Sequence, residues 1–131
     1  MTPMEVADRL DALAAETADG VNKLRPSSRS DKELAATLID MEAFANLGRY
    51  YADKIRGAAE LAVYRADPVR SAAHAAAVGH FKNAVKEWEA YAAVATRAYH
   101  PQLYSRVHYM DWDRILDQVK REVATVQARG D

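Results

Sequence analysis

The chain has 131 residues, a formal net charge of −1 from 18 basic and 19 acidic side chains, and no cysteine. The length fits one compact domain, and the charge balance is unlike the strong basic excess of nucleic-acid-binding proteins or polybasic membrane anchors. The absence of cysteine excludes disulfide bonds, thiolate metal ligands and cysteine nucleophiles.

The first part of the chain predicts a helix from Pro3 to Leu24. Thr2 can cap this helix, and proline suits its first position. Apolar side chains recur at three- and four-residue spacing, which predicts one buried face. That face consists of Val6, Leu10, Leu13, Thr17, Val21 and Leu24. Pro26 then interrupts the helical pattern, because a proline disfavours helix at the residue before it.

Two longer helices follow. Ser30 and Glu33 form a capping-box pattern, which predicts a second helix from about Asp31 to Ala66. A third helix is predicted from about Pro68 to Ala98, with Trp88 on its inward face. The predicted inward stripe of the second helix is Leu34, Leu38, Met41, Ala45, Gly48, Ala52, Ile55, Ala59 and Ala62.

The segment from Tyr99 to Trp112 interrupts the helical pattern. It contains four aromatic residues, no glycine and a single proline, and it shows no strand-like alternation. We therefore predict a long ordered loop, anchored by Leu103, Val107 and Met110. Asp111 is predicted to cap a fourth helix, which ends at Arg129-Gly130. Four amphipathic helices with mostly short connections predict an all-α, antiparallel up-down four-helix bundle.

The sequence carries few signs of catalysis or metal binding. No glutamate is followed three residues later by histidine, so the paired motif of di-metal bundles is missing. Phosphate loops and nucleophile elbows are also missing. His74 and His80, six residues apart, are predicted to be separate boundary histidines. We expect no catalytic residue, no metal and no cofactor, and hence a protein that is not an enzyme.

The aromatic loop is the best candidate for a binding site. Flat rings beside hydrogen-bond donors suit sugars, because rings pack on C–H faces while polar groups meet hydroxyls or carboxylates. The predicted ligand-binding residues are Tyr99, Tyr104, Arg106, His108, Tyr109 and Trp112, with Arg49, Tyr50 and Lys54 on the second helix as secondary candidates. The alternative for the loop is that its rings are buried over the end of the bundle. The alternative for Tyr50 is that it lies at the boundary of the core, beside solvated charges.

Several segments together have a distinctive pattern. They are Asn46-Leu-Gly-Arg-Tyr-Tyr-Ala-Asp-Lys-Ile-Arg-Gly-Ala, Trp88-Glu-Ala-Tyr-Ala-Ala-Val-Ala, Tyr99-His-Pro-Gln-Leu and Asp111-Trp112. Over roughly residues 34 to 125 the chain resembles the helical accessory region of large bacterial carbohydrate-active proteins, the multimodular polysaccharide-degrading enzymes. The resemblance implies a non-catalytic module of a secreted or periplasmic parent. It supplies no ligand residues.

We therefore expect residues 1–131 to form a single helical domain, excised from a larger protein, that acts as a carbohydrate-binding module. Its ligand would be a polysaccharide of plants or algae, acidic ones included. Its other partners would be neighbouring modules of the parent, with neither nucleic acid nor membrane among them. No signal peptide is visible in the chain. The alternatives are a structural helical spacer, and an enzyme that completes its active site beside another domain.

Overall fold

A computed structural model describes residues 1–104 and 108–128. Most of these residues are helical, and they form four α-helices, as an all-α protein requires. The elements in chain order are α1 (Pro3–Leu24), a short 3-10 helix (Ser27–Ser30), α2 (Lys32–Ala66), α3 (Ser71–Ala95), β1 (Gln102–Tyr104), β2 (His108–Met110) and α4 (Trp112–Gln127). The predicted anchor Val107 and the predicted helix end at Arg129-Gly130 lie outside the described residues.

The helix starts follow local capping chemistry. Thr2 and Glu5 form a reciprocal capping box at the start of α1, and Asp111 caps α4 by accepting a hydrogen bond from the Arg114 N–H. The prediction for α2 was wrong by one residue. Asp31, rather than Ser30, accepts the hydrogen bond from the Leu34 N–H at 2.9 Å, because the 3-10 helix includes Ser30.

The third helix is shorter than predicted at both ends. Residues 67–70 form a turn, in which the Arg70 N–H donates to the Asp67 carbonyl at 3.0 Å, so α3 begins at Ser71. At the other end the Tyr99 N–H returns to the Ala95 carbonyl at 2.9 Å. These two turns set the ends of α3.

The buried face of α1 differs from the predicted one. Leu13 is 43% exposed and Leu24 is 48% exposed, whereas Ala7, Ala14 and Val21 are buried. The buried positions are small residues that allow α2 to approach closely, so the larger leucines are left at the margin of the contact. Val21 is the one residue of the predicted face that is classed as buried.

Close approach also defines the contact between α2 and α3. A Cβ atom added at Gly57 would lie 2.8 Å from two ring carbons of Phe81, so only glycine leaves room for that ring. Ala52, Ala77 and Ala84 are completely buried. The result is a contact dominated by small side chains, as the alanine-rich sequence predicts.

Two apolar clusters hold the helices together. The larger one includes Tyr50, Trp88, Trp112 and Val119, and so joins α2, α3 and α4. The smaller one includes Leu61, Phe81 and Val126 from the same three helices. Trp88 is 6% exposed, which confirms its predicted place in the core. None of the described helices combines the length and the apolar character that a membrane span needs.

The predicted irregular loop contains a β-hairpin, which the sequence did not indicate. The β1 and β2 strands are antiparallel, with Leu103 opposite Tyr109 and Tyr104 opposite His108. Three-residue strands are too short to show clear alternation in a sequence. Leu103 is 77% exposed, so it is not the predicted anchor, whereas Met110 packs against the larger cluster as expected.

Candidate functional site

The hairpin forms one side of an open groove of about 240 Å³ on the surface of the helices. We call it the Trp112 groove. Five aromatic rings and one carboxylate line it: Phe44, Tyr91, Tyr99, Tyr104, Trp112 and Asp40. The groove therefore combines residues from α2, α3, the hairpin and the start of α4. Alanines at positions 43 and 95 complete the lining, and their small size leaves the rings accessible.

Tyr99 is held in place by two contacts. Its hydroxyl donates a hydrogen bond of 2.6 Å to Asp40 Oδ1, and its ring stacks on Trp112 with 6.4 Å between centroids and an interplanar angle of 24°. The hydrogen bond to Asp40 raises the pKa of the Tyr99 phenol, because ionisation would remove the proton that the two oxygens share. Tyr99 is 38% exposed, so the fixed ring still faces the groove.

Trp112 forms the base of the groove rather than its rim. The residue is 3% exposed, so it is not the outward-facing ring that was predicted. Its indole nitrogen is buried and has no hydrogen-bond partner among the described residues. A buried indole N–H normally finds a partner, because leaving one without costs about 1–3 kcal/mol. Trp112 thus gives the groove an apolar floor.

Tyr104 provides an accessible ring at the edge of the groove. It is 43% exposed, and its hydroxyl accepts a hydrogen bond of 2.9 Å from the Gln102 side-chain amide. A smaller depression of about 170 Å³ lies against the same ring and is lined also by Tyr91, Met110 and Trp112. The two depressions share three rings, which widens the aromatic surface beyond the groove itself.

His108 and Tyr109 lie at a different surface. They line a second depression of about 330 Å³, together with Arg114, Ile115 and Gln118 of α4. His108 adopts φ = 62°, a left-handed conformation that is uncommon for residues with a side chain. The six predicted loop residues therefore do not form one cluster: three line the Trp112 groove, two line this second depression, and Arg106 lies outside the described residues.

The secondary candidates on α2 are engaged elsewhere. Tyr50 is 7% exposed and packs edge-on against Trp88 at 5.0 Å between centroids, so it is a core residue and not the predicted boundary one. Lys54 forms an ion pair with Glu122 of α4 and lies 4.9 Å from the centroid of the Phe81 ring. Arg49 approaches Asn46 at 3.5 Å. None of these three residues lines the Trp112 groove.

The two helical histidines have separate partners, as predicted. The His80 Nδ1 lies 2.8 Å from Asp53 Oδ1, and the His74 Nε2 lies 2.8 Å from the Val126 carbonyl. Within the described ranges, no three side chains of the His, Asp and Glu types are grouped so that they could hold a metal ion. The histidines therefore tie helices together in pairs.

Two arginines that do not line the groove share one carboxylate, that of Glu42. Arg25 and Arg97 both donate to Glu42 Oε2, at 3.1 Å and 2.9 Å. Asp40 makes no ion pair within residues 1–104 and 108–128 that meets a 4.0 Å limit. As far as the described residues go, the groove lining contains one negative charge, that of Asp40, and no positive one.

Sequence reasoning missed Asp40 and Phe44 as site residues. Asp40 precedes its partner Tyr99 by 59 positions, so no local spacing connects them. Phe44 is 63% exposed on a helix whose predicted stripe passes through Met41 and Ala45. The one signal in the sequence was that Phe44, a large apolar ring, lies between two positions of the predicted inward face of α2.

Comparisons with protein-family models, with curated proteins and with solved structures find no match to this chain.

Proposed function

We propose that the protein is a non-catalytic carbohydrate-binding module that uses the Trp112 groove to hold part of a polysaccharide. In this proposal it serves a secreted or periplasmic parent protein, as the resemblance in its sequence implies. The observation that carries the proposal is the open groove with its five aromatic rings. Flat rings that are fixed in place and partly exposed provide the surface on which sugar C–H faces pack.

Polar edges around the rings support the proposal. The Asp40 carboxylate and the Tyr99 and Tyr104 hydroxyls can exchange hydrogen bonds with sugar hydroxyls at the rim. A groove of this composition can hold an amphipathic ligand by its face and by its edge at once.

The size of the groove limits the ligand. At about 240 Å³ it is smaller than pockets that enclose drug-sized molecules, so it suits one sugar unit with the chain continuing along the surface. The open shape leaves much of such a ligand in water. We therefore expect weak binding, with Kd on the order of micromolar to millimolar.

The proposed scaffold is an antiparallel up-down four-helix bundle. Four contacts of α1 and its C-terminal cap with α2 support this arrangement, because their order along one helix is opposite to their order along the other. Arg56 pairs with Asp8 and Asp11, and Arg25 pairs with Glu42. The contact of Gly48 with Ala14 lies between them.

The contacts of α3 support the same topology. Along α2 and α3 the pairs are Tyr50 with Trp88 and Asp53 with His80. Between α3 and α4, Glu89 pairs with Lys120, and the earlier residue His74 contacts the later residue Val126. In each case the later residue of one helix meets the earlier residue of the other. Such a bundle would place the Trp112 groove near the end where α3 finishes and α4 begins.

A glycan array followed by affinity electrophoresis tests the proposal. Tyr104→Ala removes an exposed ring from the groove, and we expect it to weaken binding about fivefold or more. Tyr51→Ala is the matched control, because Tyr51 is 52% exposed and does not line the groove. If no glycan retards the wild-type chain, or if both variants lose binding equally, the proposal is wrong.

The second candidate function is a helical spacer without a ligand. Two observations favour it: α2 has 35 residues and would span about 50 Å, and the outer face of the hairpin exposes Leu103 and Tyr109. An apolar face of this kind suits contact with a neighbouring domain. A spacer would bind no glycan, and in the parent protein its hairpin would be protected from solvent by the adjacent module.

A further inference from the structure

The charge of the Trp112 groove narrows the class of sugar that it can hold. Of the described residues that line it, all but one are apolar or carry uncharged hydroxyls, and that one is Asp40, with its carboxylate. An acidic sugar placed there would bring a second negative charge to Asp40, and the lining contributed by residues 1–104 and 108–128 holds no cation to offset it. The electrostatics therefore disfavour the acidic ligands that the sequence left open.

Three basic side chains of the described chain that do not line the groove are bound to other carboxylates. Arg25 and Arg97 both bind Glu42, which holds them to another carboxylate. Lys54 is paired with Glu122 on α4. The Asp40 carboxylate instead accepts a hydrogen bond at Oδ1 from the neutral hydroxyl of Tyr99. Its second oxygen makes no hydrogen bond or ion pair to the rest of the described chain that meets the usual distance limits.

The rings add to the attraction for a cation. The faces of tryptophan, tyrosine and phenylalanine carry partial negative charge, and an ammonium group within about 6 Å of a ring centroid is attracted to it. Phe44, Tyr99 and Trp112 together line the groove beside Asp40. Aromatic faces combined with one carboxylate form the environment that proteins use for alkylammonium groups.

We propose that the Trp112 groove selects a sugar that carries a protonated amine, so that the ligand is a glycan with free amino groups. The ammonium group would lie against Asp40 and the Tyr99 ring, while the rest of the sugar packs on the Tyr104 edge. This inference rests on the proposed carbohydrate-binding function and specifies its ligand class.

The experiment compares three oligosaccharides by isothermal titration at a pH at which the amine is protonated. They are a glucosamine oligomer, the fully N-acetylated oligomer of the same linkage and length, and a uronic acid oligomer. The first two share linkage and length and differ at the nitrogen, which is a charged ammonium group in one and a neutral acetamide in the other. We expect the free amine to bind at least about tenfold more tightly than the acetylated form, and the uronic acid not to bind.

Asp40→Asn is the decisive variant, because asparagine keeps an oxygen that can accept the Tyr99 hydrogen bond while it removes the charge. It should reduce the preference for the free amine to less than about twofold. Asp19→Asn is the matched control, since it changes the net charge equally at an exposed position outside the groove. Circular dichroism of both variants verifies that they are folded.

The outcomes separate the two proposals. If the acetylated or uronic acid oligomer binds as tightly as the free amine, the inference about the amine is wrong while carbohydrate binding stands. If the amine preference survives in Asp40→Asn, the inference is likewise wrong. If none of the three oligomers binds, and no other glycan on the array does, the carbohydrate proposal fails and the inference fails with it.

Discussion

The indole N–H of Trp88 in α3 donates a hydrogen bond of 3.0 Å to the backbone carbonyl of Trp112, the first residue of α4. Both side chains are buried in the larger apolar cluster. The bond therefore connects the core of the helices to the residue that forms the floor of the groove. The position of the groove floor therefore depends on the packing of the core around Trp88 and Trp112.

Replacing Trp88 with phenylalanine tests this connection. The change removes the hydrogen bond and leaves a gap where the larger ring packed against Tyr50 and Tyr91. We expect the free energy of unfolding to fall by about 2–3 kcal/mol, from the lost bond and the lost packing together. Urea denaturation followed by circular dichroism measures it. A loss under about 0.5 kcal/mol would show that the contact is unimportant.

Two glycine substitutions test the close contact of α2 with α3. Gly57→Ala should destabilise the protein by about 1–3 kcal/mol, because the new methyl group would meet the Phe81 ring at 2.8 Å. Gly79→Ala should instead stabilise it by about 0.5–1 kcal/mol, since nothing lies within 4 Å of a Cβ there and alanine favours helix. Thermal unfolding compares the pair, and equal effects of the two changes would contradict the packing described.

The buried phenol of Tyr50 should make the folded protein less stable at alkaline pH. Burial, followed by the charge of Glu122, raises its pKa to about 12, from 10.0 in an exposed tyrosine. The folded state holds the phenol proton of Tyr50 more tightly than the unfolded state does. The stabilisation that this proton gives the folded state is therefore complete below pH 10, and it is lost as the pH rises towards 12. The total is at most about 2–3 kcal/mol.

The measurement for Tyr50 is unfolding by urea at a series of alkaline pH values. Tyr50→Phe cannot ionise, so its stability should fall less steeply than that of the wild type in this range. Tyr51→Phe, at the exposed neighbouring ring, should follow the wild type. Parallel curves for wild type and Tyr50→Phe would mean that Tyr50 titrates normally.

Arg56 joins α1 to α2 through two carboxylates. Its guanidinium binds Asp8 at 2.8 Å and Asp11 through a different nitrogen, and the hydrogen bonds to these residues raise the arginine pKa, the one to Asp8 most. Lysine has a single ammonium group in place of the planar, forked guanidinium, so it cannot bind both carboxylates in the same geometry. Arg56→Lys should therefore cost about 1 kcal/mol at low salt. The deficit should shrink as salt is added, and a deficit independent of salt would contradict an electrostatic origin.

The helices were predictable because their signals are local. Capping residues such as Thr2 and Asp111, and the proline at position 3, act within one turn, and the predicted bounds of α1 agree with the structure. The buried face of α1 was predicted less well, since hydrophobicity favours Leu13 while the close approach of α2 favours Ala14. Periodicity alone does not report the distance between two helices.

The groove was only partly predictable, for a related reason. The aromatic segment drew attention to Tyr99, Tyr104 and Trp112, which do line it. Asp40 comes from a distant helix, and its role depends on a tertiary contact that no spacing in the sequence encodes. The burial of Trp112 also arises from tertiary packing, because the same ring could have pointed outward from an irregular loop.

NMR titration of the ¹⁵N-labelled chain would show, residue by residue, whether sugar binds in the proposed site, the Trp112 groove. The probe is the oligosaccharide that the wild-type chain retains best on the array. We predict that the indole N–H signal of Trp112 shifts in a saturable way, with the amides of Asp40 and Tyr104, while that of Tyr51 stays unchanged. Saturable shifts confined to residues outside the groove, or none at all, would contradict the claim.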